Sequence, residues 1–295
     1  MLYKYVNFER RDILENQLIR FTQPGCFNDP FEMHPSFDLM SKADIAALPD
    51  SPNHDGGDGR KMKLLTPNAL SAMLTALMPG IERQIATTAR GSGIWSLNSN
   101  LIAKSVLDDK YGILCLAESP TNLLMWAHYA DHHRGVAIQF DETHDFFRSH
   151  IDTHPDIGLR AVKYSDVRPV RSYSNLESPL TFYTKSTEWS YETEWRFIKP
   201  LSEAAKVIDA PGDEPLFPRC LFAVPTDAMT GVILGACMPV QHSEAIVNLL
   251  TCSELQHIRV YYAHLSEQKF EIDIHPPLDG SGGSGRFVAR APSAR

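Results

Sequence analysis

Three short stretches of the chain concentrate side chains that a hydrophobic core alone does not require. The richest is Lys185 followed by Glu188-Trp189-Ser190-Tyr191-Glu192-Thr193-Glu194-Trp195-Arg196-Phe197. Read as a strand, it alternates: Tyr191, Thr193, Trp195 and Phe197 face one way, and Glu192, Glu194 and Arg196 the other. Trp195 and Phe197 then supply an apolar face. The opposite face is either a solvated surface with an ordinary ion pair, worth little, or a tuned site. In a tuned site neighbouring carboxylates raise one another's pKa while Arg196 holds one ionised, which suits a general base or a group that stabilises a developing cation.

The second stretch is Met125-Trp126-Ala127-His128-Tyr129-Ala130-Asp131-His132-His133-Arg134-Gly135. On a helix, Met125, His128, Tyr129 and His132 share a face. His128 and His132 have the i,i+4 spacing of a zinc-protease helix, but the glutamate of HExxH is absent, so no metal ligands are assigned. The alternatives are a hydrogen-bonded histidine beside packed aromatics, or a binding face. On such a face Trp126 or Tyr129 stacks on a flat ring and His128 donates a hydrogen bond. The third stretch is Phe27-Asn28-Asp29-Pro30-Phe31-Glu32. Pro30 drives Asp29 out of the helical region, and Asn28 and Asp29 can bond their own backbone there. The result is either a turn clamped by two buried phenylalanines or a pocket rim carrying Asp29 and Glu32.

Several classes of chemistry lack their motif. No GxGxxG follows a strand, and neither GxxxxGK[ST] nor a GxSxG elbow occurs. The formal charge of -8 disfavours nucleic-acid binding through net charge, and Arg168 and Arg171 near Lys163 give only a hint of a basic strip. Five cysteines form no CxxC pair and read as buried thiols of a reducing compartment. No apolar run reaches membrane-spanning length, and MLYKYVNFERRD has no apolar core of a secretory signal, so a cytoplasmic protein is expected. Oligomeric state is not readable.

The elements that must position these stretches follow from periodicity and punctuation. LYKYV and LIRFTQ read as short strands, with Asn7 capping a helix that runs to about Asn16. Helical patterns lie at Ser41–Leu48, around Leu70–Met78 and at Ile81–Ala89, forming a helical insertion over about residues 40–105. YGILCLAE is an apolar strand. Ser119-Pro120 then caps the helix NLLMWAHYADHH, which Gly135 ends before the strand VAIQF. LRAVKYSDV, YETEWRFI, LFAV and GVILG are further strands, PVQHSEAIVNLL is a helix, and IRVYYAHL with FEIDIH forms a hairpin. The expected fold is α+β, with a mixed, mostly antiparallel sheet flanked by helices. One domain over residues 1–278 and a flexible glycine- and serine-rich tail over 279–295 are expected.

At the same three stretches the chain resembles a bacterial family catalogued as domain of unknown function 2971. The likeness rests on Leu2-Tyr3-Lys4-Tyr5, on Phe27 to Glu32, on Met125 to Tyr129 leading to Arg134-Gly135, and on Lys185 leading to Trp189 through Arg196. The family implies a stand-alone bacterial protein, with some members linked to phage defence or mobile elements. A looser, fold-level likeness is to ADP-ribosyltransferase-like toxins. It implies that Tyr5 or Lys4 grips the NAD ribose or phosphate and that Tyr129 or Trp126 stacks on nicotinamide. Glu192 or Glu194 then stabilises the oxocarbenium-like transition state, with Arg196 as partner.

Three functions follow as expectations. The first is an enzyme acting on NAD or a nucleotide-linked substrate. Glu192, Glu194 and Arg196 are catalytic in it; Lys4, Tyr5, Asn28, Asp29, Glu32, Trp126, His128, Tyr129 and Lys185 bind the ligand. The second is a metal-dependent hydrolase or nuclease in which Asp29, Glu32, His128, Glu192 and Glu194 converge on Mg²⁺ or Mn²⁺. The third is a non-enzymatic sensor or adaptor that binds a small ligand. All three require the stretches to meet in space.

Overall fold

The computed structural model describes residues 1–29, 31, 36–37, 107–148, 156–171, 179–209, 217–251 and 254–276. Glu32, the insertion helices and the glycine- and serine-rich tail lie outside the described residues.

The chain opens with β1 (Leu2–Val6). Asn7 caps a 3-10 turn at Phe8–Arg11 that runs directly into α1 (Asp12–Asn16), and β2 (Leu18–Phe21) follows. Next come β3 (Ser36–Phe37), β4 (Tyr111–Ala117), α2 (Leu123–Tyr129), β5 (Val136–Phe140) and α3 (Asp145–Arg148). The short strands β6 (Gly158–Ala161), β7 (Lys163–Tyr164), β8 (Val170–Arg171) and β9 (Thr184–Lys185) lead to β10 (Glu194–Pro200). The described chain ends with β11 (Lys206–Ile208), β12 (Arg219–Ala223), β13 (Met229–Leu234), α4 (Val240–Leu249), β14 (Arg259–Leu265) and β15 (Ile272–His275).

Eight strands form one sheet in the order β15-β14-β13-β5-β1-β4-β10-β6, and only the β13–β14 pair is parallel. The expected α+β class, with a mixed and mostly antiparallel sheet, is the one observed. β1 lies between β4 and β5 and opposes both, so β4 and β5 share a direction and α2 is the crossover between them. Strand alternation gives the sheet two different faces. Leu114 and Leu116 of β4, with Phe197 of β10 opposite Leu114, point into the largest core. That core is closed by α1, α3, α4 and the separate sheet β11-β12-β2. Ile113, Cys115 and Ala117 point to the other face, directly across from Ile198, Arg196 and Glu194. Two smaller clusters sit there: one around Trp126 of α2, the other around Phe182 and Tyr183.

Four expectations are corrected. The helix after Ser119-Pro120 is capped by Asn122, whose side chain accepts from the N–H groups of Leu124 and Met125, and it stops at Tyr129. Asp131, His132 and His133 then take left-handed φ values of 45°, 53° and 67°, so the chain turns well before Gly135. LRAVKYSDV is not one strand: it breaks at Val162, whose N–H goes to the Glu194 carbonyl, and β7 pairs with β9 instead. YETEWRFI is strand only from Glu194, because Thr187–Glu192 winds into a 3-10 helix ended by Thr193 at φ 42°. Of the four described cysteines, all free, only Cys220 is fully buried; Cys26 and Cys115 are half-buried and Cys237 is exposed. No helix of the described residues is long and apolar enough to cross a membrane.

Candidate functional site

The second face of the sheet holds a cavity of about 240 Å³ between its two small clusters. Its position follows from a split in the sheet. β1 meets β4 through the single pair Tyr3↔Ala117, and farther along the same edge of β4 Ile113 pairs with Thr22, just beyond β2. Cys115 lies in the gap, and its carbonyl accepts from the Lys4 ammonium at 3.0 Å. Tyr3, Lys4 and Tyr5 line one side of the cavity; Cys26, Phe27 and Asn28 line another. Met125 and Tyr129 of α2 form a third wall, and Lys185, Glu192 and Glu194 complete it.

Glu192 and Glu194 reach this wall by different routes. Glu194 points inward as the first residue of β10, while Glu192 comes from the end of the preceding 3-10 helix. The left-handed Thr193 between them turns the chain so that both carboxylates face Lys185. The Lys185 ammonium donates to Glu192 Oε2 at 2.6 Å and to Glu194 Oε2 at 3.3 Å. The Tyr129 hydroxyl donates to Glu192 Oε1 at 2.7 Å. Behind them the Arg196 guanidinium holds Glu194 in a two-pronged grip, Nε to Oε1 and the terminal nitrogen to Oε2, both at 2.9 Å. Arg196 also donates to the Phe182 carbonyl, and the Tyr164 hydroxyl accepts the Glu194 N–H at 2.8 Å.

These groups are buried: Glu192 is 3% exposed, Glu194 5% and Arg196 0%. The solvated-surface reading of the Glu-x-Glu-x-Arg face therefore fails. Burial is the largest influence on Lys185, Glu194, Arg196, Tyr129 and Lys4. It lowers Lys185, but Glu194 and Glu192 overcome that and hold the ammonium above its ordinary pKa. Burial pushes the Glu194 carboxyl up against the pull of Lys185. Burial also pulls Arg196 down, with Asp29 as its counter-charge. Burial and the bond to Glu192 keep Tyr129 well above the usual phenol range, so it is a donor at neutral pH. For Lys4 burial prevails over the through-space pull of Cys115, Glu194 and Glu192 and draws its pKa below the ordinary lysine value.

The structure thus brings Lys4, Tyr5, Asn28, Tyr129, Lys185, Glu192 and Glu194 to one cavity. Arg196 and Asp29 are buried behind it, and Asp29 Oδ1 forms the expected turn by accepting the Phe31 N–H at 2.8 Å. Phe31 is 67% exposed, so the turn is not clamped by two buried phenylalanines. Trp126 is not a stacking surface. It is fully buried, donates to the Pro120 carbonyl at 2.7 Å and packs edge-on against Tyr5. His128 is exposed and absent from the cavity wall, and the end of α2 at Tyr129 breaks the His128–His132 spacing. Among the described residues no three His, Cys, Asp or Glu side chains gather as a metal site, so the convergence needed for the Mg²⁺ or Mn²⁺ reading is not met there.

Residues 125–197 match the family model described as a protein of unknown function (DUF2971). The resemblance to this family holds over that stretch. It covers about a quarter of the chain, from α2 into β10, and so includes Tyr129, Lys185, Glu192 and Glu194 but not Lys4 or Asn28. No curated protein and no solved structure matches the chain. Cys115, Tyr3 and Thr22 line the cavity and were not expected there. Only the alternation of YGILCLA hinted at Cys115, by setting it on the face opposite Leu114 and Leu116.

Proposed function

We propose that the cavity is the active site of an enzyme acting on a nucleoside-type substrate, with NAD the first to try. Glu192 in this reading stabilises positive charge on the sugar as the ring base leaves. The observation that carries it is the fixing of both Glu192 oxygens, one by Tyr129 and one by Lys185, at the wall of a partly enclosed cavity. A carboxylate held this way needs no reorganisation when a cation develops beside it, and the low local dielectric strengthens the attraction. The C–N glycosidic bond breaks with its electron pair going to the departing base. The resulting oxocarbenium ion takes water or an acceptor hydroxyl, whose proton passes to solvent when nicotinamide leaves from NAD and to the departing base when adenine leaves from an adenosine compound. Transfer of ADP-ribose from NAD to such an acceptor is the specific form suggested by the fold-level likeness to ADP-ribosyltransferase-like toxins, and phage defence is a setting for it.

The cavity volume, 240 Å³, lies below the roughly 300–1,000 Å³ that encloses a drug-sized ligand, so the enclosed portion is one ring system with its substituents. Tyr129 and Phe27 supply apolar faces for that ring. Thermal unfolding of the purified protein with NAD, adenosine, AMP, Mg²⁺ and Mn²⁺, in turn, tests the reading. A nucleoside-type ligand is expected to raise the midpoint by several degrees in the wild type and not in Glu192→Gln. Stabilisation by a metal ion alone, or by none of the ligands, contradicts it.

A further inference from the structure

Two lysines share this cavity, and their surroundings differ in kind. Lys185 is clamped between Glu192 and Glu194. Among the described residues Lys4 makes one hydrogen bond, to the backbone carbonyl of Cys115, and no ion pair. Its ammonium has three donors, so two remain for whatever occupies the cavity it lines. Glu192 and Glu194 do act on Lys4 through space, but each is already bonded to other donors. A half-buried ammonium whose one hydrogen bond goes to a neutral carbonyl is stabilised further when a group of opposite sign comes within its reach. Asn28, exposed at the cavity mouth, adds an amide donor on the adjoining wall.

We infer that the cavity carries an oxyanion subsite on Lys4, so that its substrate bears a phosphate or carboxylate on the enclosed ring system or its sugar. The inference rests on the proposed active site and narrows the substrate class to molecules whose enclosed portion carries an anionic group. The polarity of the cavity then fixes the ligand's orientation. The anionic group lies against Lys4 in the gap between β1 and β4, and the end that gains positive charge lies against Glu192. The opposite pKa displacements of the two lysines, Lys185 up and Lys4 down, agree with one being paired within the fold and the other awaiting a partner.

The test uses matched ligand pairs in calorimetric titration of the full chain: ribose against ribose 5-phosphate, and nicotinamide against nicotinate, with inorganic phosphate alone as a further probe. Three proteins are compared. Lys4→Gln keeps a donor for the Cys115 carbonyl but removes the charge, and Lys4→Arg keeps the charge. The expected result is a preference of about tenfold or more for the anionic member of one pair in wild type. It is lost in Lys4→Gln and retained in Lys4→Arg. The pair that discriminates identifies the anion as phosphate or carboxylate. Equal binding within both pairs, no binding of any anionic probe, or a preference that survives Lys4→Gln overturns the inference. If phosphate binds through Lys4 while neither ribose ligand nor NAD binds, the subsite stands and the nucleoside reading falls.

Discussion

At the cavity wall two carboxylates that look equivalent in sequence have different work. Glu194 accepts both arms of the Arg196 guanidinium and shares Lys185, so every strong donor around it is charged. Together with Asp29 it supplies the opposite charge for a fully buried arginine on β10. Glu192 is held by one cation and one neutral phenol and presents its carboxylate to the cavity. Neutralising Glu194 leaves Arg196 buried against an amide, so Glu194→Gln is expected to lower stability by about 3–5 kcal/mol. Urea denaturation measures it. Glu192→Gln is expected to cost distinctly less, because Lys185 retains Glu194 and the Tyr129 hydroxyl still finds an amide oxygen. Equal losses from the two variants would remove the distinction between counter-ion and working group.

Among the elements, the short helix α2 and the 3-10 helix Thr187–Glu192 set the distance between Tyr129 and Glu192. They are tied by Asn122, which caps α2 with its side-chain oxygen and donates its amide N–H to the Tyr191 carbonyl at 2.5 Å. Asn122→Ala is expected to cost about 1–2 kcal/mol, combining a lost cap with a lost inter-element bond. Thr193 works in the opposite sense. A β-branched residue at φ 42° is strained, and the strain turns Glu192 toward Lys185. Thr193→Gly is expected to gain up to about 1 kcal/mol in the same denaturation experiment, while Thr193→Ala gains little because alanine also resists positive φ. A loss of stability in Thr193→Gly would mean that the turn is unstrained.

Over the whole molecule, what could be read from the sequence was residue chemistry and element type. The Glu-x-Glu-x-Arg run, the tyrosine-bearing helix and the Lys4–Tyr5 strand all reach the cavity or its back wall. The alternation read for the Glu-x-Glu-x-Arg run matches the two faces observed from Glu194 onward. The placement of Lys4 was not legible, because it depends on Thr22 taking the edge of β4 that β1 leaves free, a pairing across 91 positions that no local pattern encodes. Trp126 and His128 were misjudged for a related reason. Helical spacing names a shared face, but whether that face meets a core, a cavity or solvent depends on what the crossover packs against. Thr193 escaped because nothing in a Glu-Thr-Glu run marks a left-handed residue, which glycine or asparagine would have done.

The measurement that bears most directly on the proposed chemistry is release of free base from NAD and from adenosine monophosphate. Wild type and Glu192→Gln are compared by chromatography after each variant is verified as folded. The expected result is release by the wild type, with a drop of about a hundredfold or more in Glu192→Gln, as when one preorganised charge is taken from a developing ion. Release undiminished in Glu192→Gln, or ligand binding without any turnover in the wild type, would contradict a catalytic Glu192; the second result would leave the cavity as a receptor for its ligand.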